Sequence, residues 1–135
     1  MALDKVRLAS VGVGWWGEVL ARAAERSGKC RIVSCFARSE EARGAFARKF
    51  GCRAARGFEE LLADPEVEGI ILATPHSTHA EMICAAASAG KHVFVEKPLT
   101  LTVADASRAS EAAAKAGVTL QVGHHRRRQG PIRRM

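Results

Sequence analysis

Two stretches of this 135-residue chain hold residue types arranged for chemistry. In "VFVEKPL", residues 93–99, Glu96, Lys97 and Pro98 follow the apolar run 93–95 with no spacer. A carboxylate, an ammonium group and a proline at the mouth of a buried strand have two readings. Either they end the strand at the surface, or they aim Lys97 at a ligand. The second stretch, "GVGWWG", places Gly12, Gly14 and Gly17 in G-x-G-x-x-G spacing. In such a loop the first glycine permits a tight turn, the second lets the backbone approach a pyrophosphate, and the third allows close packing of helix on strand. Free N–H groups and the positive helix end at residues 15–17 would attract phosphate. Glycine triplets also occur at purely structural turns, so the elements around this one decide its meaning.

Those elements alternate. Apolar, β-branched runs predict strands over 6–14, 30–37, 67–73, 91–95 and 118–122. Helical periodicity or cap signals predict helices over 15–27, 39–50, 58–63, 77–89 and 102–116, with Gly28, Gly51, Gly90 and Gly117 closing four of them. Thr102 and Asp105 are spaced like a capping box. Strands alternating with helices require parallel pairing, hence a doubly wound, mostly parallel α/β sheet of Rossmann type in a single domain. The glycine triplet follows the first strand and opens the first helix, which favours dinucleotide binding. Trp15 and Trp16 are read as core anchors, as a lid over the cofactor, or as faces for a missing neighbour.

The cofactor is read from the end of the second strand. An NAD-binding loop places an acid about 20 residues after the glycines, to accept the ribose 2′-hydroxyl. Here the sequence is "FARSEEA", with Ala37, Arg38 and Ser39 at that point. A guanidinium and a hydroxyl suit a 2′-phosphate. NADP is favoured over NAD, the competing reading of Arg38 being a solvated side chain beside a helix cap.

Composition limits the alternatives. Hydrophobic residues make up 47% and charged residues 26%, ordinary for a globular protein large enough to need no staple. No apolar run is long enough to span a membrane, and "MALDKVRL" has no signal-peptide core, so a cytoplasmic location is expected. Cys30, Cys35, Cys52 and Cys84 show no paired spacing and are expected to be reduced and mostly buried. Of the net charge of +7, five units come from Arg126, Arg127, Arg128, Arg133 and Arg134 in an acid-free tail. Basicity confined to a tail argues against a nucleic-acid-binding face. His76 and His79, or His124 and His125, lack the acid or cysteine pattern that would complete a metal site, and none is expected.

The segments "VGVGWWG", "ILATPHSTHAEM", "AGKHVFVEKPLTLT" and "LQVGHHRRR" occur in the order found in the glucose–fructose oxidoreductase and inositol dehydrogenase (Gfo/Idh/MocA) family, which this sequence resembles over nearly its whole length. The resemblance implies an oxidoreductase that moves a hydride between a nicotinamide cofactor and a sugar, polyol or related hydroxy or keto compound. It assigns the pyrophosphate loop to Gly12, Val13, Gly14, Trp15 and Trp16, and the adenosine and ribose side to Ala73, Thr74, Pro75 and His76. It has His79 capping or touching the cofactor from the next helix. Glu96, Lys97 and Pro98 match the family signature, whose lysine sits beside the nicotinamide as the catalytic group and whose Lys-Pro peptide is cis. His124 and His125 fall where the family carries residues near the nicotinamide.

The family also has a C-terminal α+β domain that forms the substrate pocket, supplies acid–base residues and makes the oligomer interface. This chain reaches only "GPIRRM", about where the connection to that domain begins. The expectation is a dinucleotide-binding domain over 1–123 and a basic segment over 124–135, with the second domain absent and the chain alone inactive. The alternative is a non-catalytic, stand-alone dinucleotide-binding module or partner subunit.

Overall fold

The computed structural model describes residues 4–130; Arg133 and Arg134 of the basic segment lie outside them. Six strands form one sheet: β1 (Val6–Val11), β2 (Cys30–Phe36), β3 (Arg53–Ala54), β4 (Gly69–Leu72), β5 (His92–Glu96) and β6 (Leu120–Gly123). Five α-helices lie between them: α1 (Trp15–Arg26), α2 (Glu40–Phe50), α3 (Phe58–Ala63), α4 (His79–Ser88) and α5 (Val103–Ala116). Every strand pairing is parallel and the spatial order is β3-β2-β1-β4-β5-β6. The order reverses at β1, so connections leave in opposite directions from β1 and β4 and a crevice opens between their C-terminal ends.

Local chemistry fixes the helix boundaries. The Ser39 hydroxyl accepts from the Ala42 N–H at 3.1 Å and Thr102 accepts from the Asp105 N–H at 3.1 Å, so both helices start where cap residues stand. The Asp105 carboxylate turns to Arg108 at 3.0 Å, so the expected capping box is realised from the Thr102 side. Gly51 and Gly117 end α2 and α5 in the left-handed region, at φ 62° and 69°.

Two apolar layers sandwich the sheet. Val11, Ile70, Leu72, Val93 and Val95 pack with Leu61 of α3, Ile83 of α4 and Ala109 of α5. On the opposite face Ile32, Cys35 and Ile71 pack with Ala21 of α1 and Phe46 of α2. β4 is buried at all four positions, as a central parallel strand covered on both faces must be. Full burial of each such aliphatic side chain is worth about 1.5–3 kcal/mol, and both layers hold the loops at the C-terminal strand ends.

The elements differ from expectation at their ends. β1 stops at Val11, because Gly12 at φ 89° turns the chain. The short β3 was not anticipated: two exposed residues carry no periodicity, and pairing of Cys35 with Ala54 defines it. A 3-10 turn over His76–Thr78 precedes α4, and another over His125–Arg128 follows β6. The four cysteines are free, but only Cys35 is buried; Cys30, Cys52 and Cys84 are half-buried.

Candidate functional site

The three glycines of the first loop divide the work. A Cβ on Gly12 would collide with the carbonyl of Ala73, and one on Gly17 with the carbonyl of Gly12. A Cβ on Gly14 would meet nothing within 4 Å. Gly12 and Gly17 therefore serve packing within the protein, while Gly14 faces open space at the start of α1. No side chain caps that helix, whose N-cap is Gly14 itself. Its first-turn N–H groups and its positive end point into the crevice. This cradle, which a Cβ would fill, fits a pyrophosphate.

Beside the loop, a cleft of about 500 Å³ is bounded by Gly12, Ala37, Arg38, Thr74, Pro75 and Met82, among others. Arg38 stands at its wall, exposed and outside any ion pair among the described residues. Ser39 is committed to capping α2 and is not part of this wall. The Thr78 hydroxyl donates to the Pro75 carbonyl at 2.7 Å, so Thr74 is the donor in the 2.8 Å contact between the two threonine hydroxyls. That chain fixes the floor of the cleft. Thr78 and Met82 were not foreseen beside Thr74, which lies in the bend before Pro75 and outside α4, so no helical spacing pointed to the contact.

A second cleft, about 290 Å³, contains Lys97. Trp16, Ala73, Thr74, His76, Glu96 and His125 complete it. Ala73 and Thr74 border both clefts, so the two meet across the end of β4. Lys97 is exposed, the Lys97-Pro98 peptide is cis, and Pro98 follows as the chain leaves β5. Glu96 is the last residue of β5, only 8% exposed, and among the described residues its Oε1 has no hydrogen-bond partner. A Cβ on Gly123 of β6 would stand 2.6 Å from that oxygen, so the glycine makes room for the carboxylate. Trp16 lies against His125 with ring centres 5.1 Å apart, bringing the turn after β6 onto the first loop. Trp15 is 77% exposed and 5.5 Å from Trp16, which excludes it as a core anchor. Val13 packs with the α1 and α2 layer.

His79 is placed differently from the expectation that it touches the cofactor. Its ring is fully buried and borders neither cleft. Nδ1 lies 2.8 Å from the Pro98 carbonyl and Nε2 3.2 Å from the Thr74 carbonyl. As the first residue of α4 it faces inward between two loops. Sequence spacing gave its position at a helix start, but not which side of the helix it occupies. No cluster of three or more His, Cys, Asp or Glu side chains suited to a metal occurs among the described residues. No helix there is long and apolar enough to cross a membrane.

Residues 6–124 match the model of a family described as "Oxidoreductase family, NAD-binding Rossmann fold", GFO_IDH_MocA. The chain is 32% identical over 123 residues to the myo-inositol 2-dehydrogenase of Thermotoga maritima, covering 90% of this chain and 37% of that protein. Its fold is similar to the WlbA dehydrogenase of Bordetella pertussis, in complex with NADH and UDP-GlcNAcA (TM-score 0.91, 29% identity, 96% of this chain and 40% of that one). It is also similar to the biliverdin reductase of Synechocystis sp. PCC 6803, in complex with biliverdin and NADP+ (TM-score 0.86, 32% identity, 93% and 40%). The chain thus spans about two fifths of the length of these relatives. It belongs to the Gfo/Idh/MocA oxidoreductase family and forms its NAD(P)-binding Rossmann domain.

Proposed function

We propose that this member of the Gfo/Idh/MocA family is the cofactor half of an oxidoreductase acting on a sugar, polyol or related hydroxy or keto compound, with NADP(H) preferred to NAD(H). The observation that carries the reading is the meeting of two clefts across Ala73 and Thr74, one at the glycine loop and one at Lys97. A dinucleotide laid through both has its pyrophosphate at Gly14 and its reactive ring beside Lys97. The relatives' names supply the substrate class: a myo-inositol dehydrogenase and a 1,5-anhydro-D-fructose reductase are among them. NADP rests on Arg38, a guanidinium outside any ion pair among the described residues, at the adenosine-side wall where an NAD site would carry an acid.

The nicotinamide, when bound, supplies hydride exchange at its C4. This chain's residues do the rest that the geometry allows. Gly14 and the first turn of α1 bind phosphate through backbone N–H groups, and Arg38 holds the 2′-phosphate. Trp16 and His76 border the space beside Lys97. The Lys97 ammonium donates a hydrogen bond to the substrate oxygen, stabilising negative charge that develops on it and positioning its proton. We place the domain over residues 1–123, in the cytoplasm, with a homo-oligomer formed by the longer protein and no nucleic-acid partner.

A second reading, a dinucleotide-binding module without catalysis, is favoured by the openness of the Lys97 cleft, where no second acid–base group stands opposite the ammonium other than Glu96 and the two imidazoles. Titration of NADPH and NADH, followed by quenching of Trp15 and Trp16 fluorescence, tests the cofactor reading. Saturable quenching that favours NADPH is expected, and quenching by neither would overturn it. Turnover of a polyol by the longer protein separates the enzyme from the module.

A further inference from the structure

Both ring nitrogens of His79 face backbone carbonyls from different loops. The Pro98 carbonyl belongs to the segment that carries Lys97, and the Thr74 carbonyl to the segment shared by the two clefts. We infer that His79 is a positioning residue that fixes Lys97 relative to the dinucleotide cleft, through an Nδ1–H donated to the Pro98 carbonyl. This inference rests on the proposed dinucleotide reading for its consequence, but not for its geometry.

A neutral imidazole carries one N–H, so in that form only one of the two carbonyls receives a hydrogen bond. The Nδ1 distance, 2.8 Å, lies within the usual N–H···O range, whereas 3.2 Å to Thr74 is at its limit. The proton therefore sits on Nδ1, and the Pro98 carbonyl is the one held. The location of His79 makes the bond effective. It is fully buried at the first position of α4, on the helix that carries Ile83 and Ala86 into the apolar layer, so the ring cannot follow a moving loop. Leu99 packs against the apolar layer, but the side-chain hydrogen bonds of segment 97–102 among the described residues are local, Thr100 to the Thr102 carbonyl and the Thr102 cap. Without the imidazole, the Lys97-Pro98 segment keeps β5 before it and the packing of Leu99 after it, but loses the hydrogen bond that ties the Pro98 carbonyl to α4. The adenosine end of the cleft, built from Arg38, Thr74 and Thr78, keeps its own hydrogen bonds.

Two measurements on the chain itself test this. Nitrogen-15 correlation spectra of the His79 ring should show a protonated Nδ1 and a bare Nε2; the opposite tautomer would overturn the assignment. Binding should then separate variants by which nitrogen they imitate. An asparagine amide places a donor near the position of Nδ1 and a glutamine amide near Nε2. NADPH affinity should fall roughly fivefold or more in His79→Gln and His79→Ala, and return to within about twofold of wild type in His79→Asn, the size set by one hydrogen bond. Affinity for 2′-phospho-ADP-ribose, which lacks the nicotinamide alone, should change less than about twofold in all three. Equal loss for both ligands, or no difference between the asparagine and glutamine variants, overturns the role. If the variants fail to fold, the tautomer decides. If the wild-type chain binds neither ligand, the dinucleotide reading fails while the tautomer still decides the staple.

Discussion

The carbonyl of Ala73 occupies the space that a side chain on Gly12 would need. The first loop and the end of β4 are thus in backbone contact, and the crevice between them has no side chain at its base. Gly12 also sits at φ 89°, which an L side chain rarely adopts.

The glycines should consequently respond differently to substitution. Gly12→Ala should destabilise the domain by about 1–3 kcal/mol, through strain and the clash with Ala73. Gly14→Val should leave the urea midpoint and circular dichroism near wild type, yet abolish NADPH binding in titration. Retained binding in Gly14→Val would remove the pyrophosphate from this loop.

Arg38 should separate the two cofactors. Arg38→Ala is expected to weaken NADPH binding by about 1.5–3 kcal/mol, the range of a charge-assisted contact, and to leave NADH affinity nearly unchanged. Calorimetry with both cofactors checks it, and equal losses would show that Arg38 does not read the 2′-phosphate.

Lys91 should matter for stability and not for the ligand. Its buried Nζ donates to the carbonyls of Asp64 and Val67 at 2.8 and 2.7 Å, tying β5 to the turn after α3. Lys91→Ala should cost about 2–4 kcal/mol in denaturant unfolding, for two charge-assisted bonds and lost packing. NADPH affinity of the folded fraction should not move.

Among the thiols, Cys52 should react before its neighbour. Its contact with Cys35 lowers the pKa of Cys52, while the same contact, and then burial, raises that of Cys35. As pH rises, iodoacetamide should label Cys52 first and leave Cys35 protected until the domain unfolds, which peptide mass mapping would show. Labelling of Cys35 first would contradict the arrangement.

Residues 1–135 alone should bind dinucleotide yet not turn over a polyol. The ammonium of Lys97 stands in an open cleft, and orientation of a substrate, worth about 7–11 kcal/mol of barrier, needs contacts beyond those described. In a longer protein, Lys97→Ala should remove most turnover with little change in NADPH affinity. Activity of the short chain, or unchanged kinetics in that variant, would contradict this role.

Much of this arrangement was legible in the residues, for identifiable reasons. Buried strands such as Gly69–Leu72 are continuous apolar runs, and helices α2 and α5 carry cap residues at one end and glycine at the other. The short β3 was not legible because its two exposed residues have no pattern and exist as a strand only by pairing with β2. At the site, glycine spacing located the loop and the division between Gly14 and Gly17, but only the folded chain shows that Gly12 lies against the Ala73 carbonyl. The direction of His79 was equally out of reach, since one position on a helix does not say which neighbours surround it. The tilted contact of His125 with Trp16 joins residues more than a hundred positions apart, and no local pattern encodes it.

The register of the central strands bears on how the molecule comes into being. Leu8 of β1 pairs with Ile32 of β2, close in the chain, but its other partner is Gly69 of β4, and the flanking bond from the Arg7 N–H to Glu68 spans 61 residues. Contacts of such sequence separation carry a large loop-closure cost and form late. During synthesis the glycine loop emerges first, and the wall it leans on, Ala73, follows only about sixty residues later. A nascent chain therefore has no crevice to offer until β4 has docked beside β1, and a dinucleotide in the surrounding solution can stabilise the domain only from that moment.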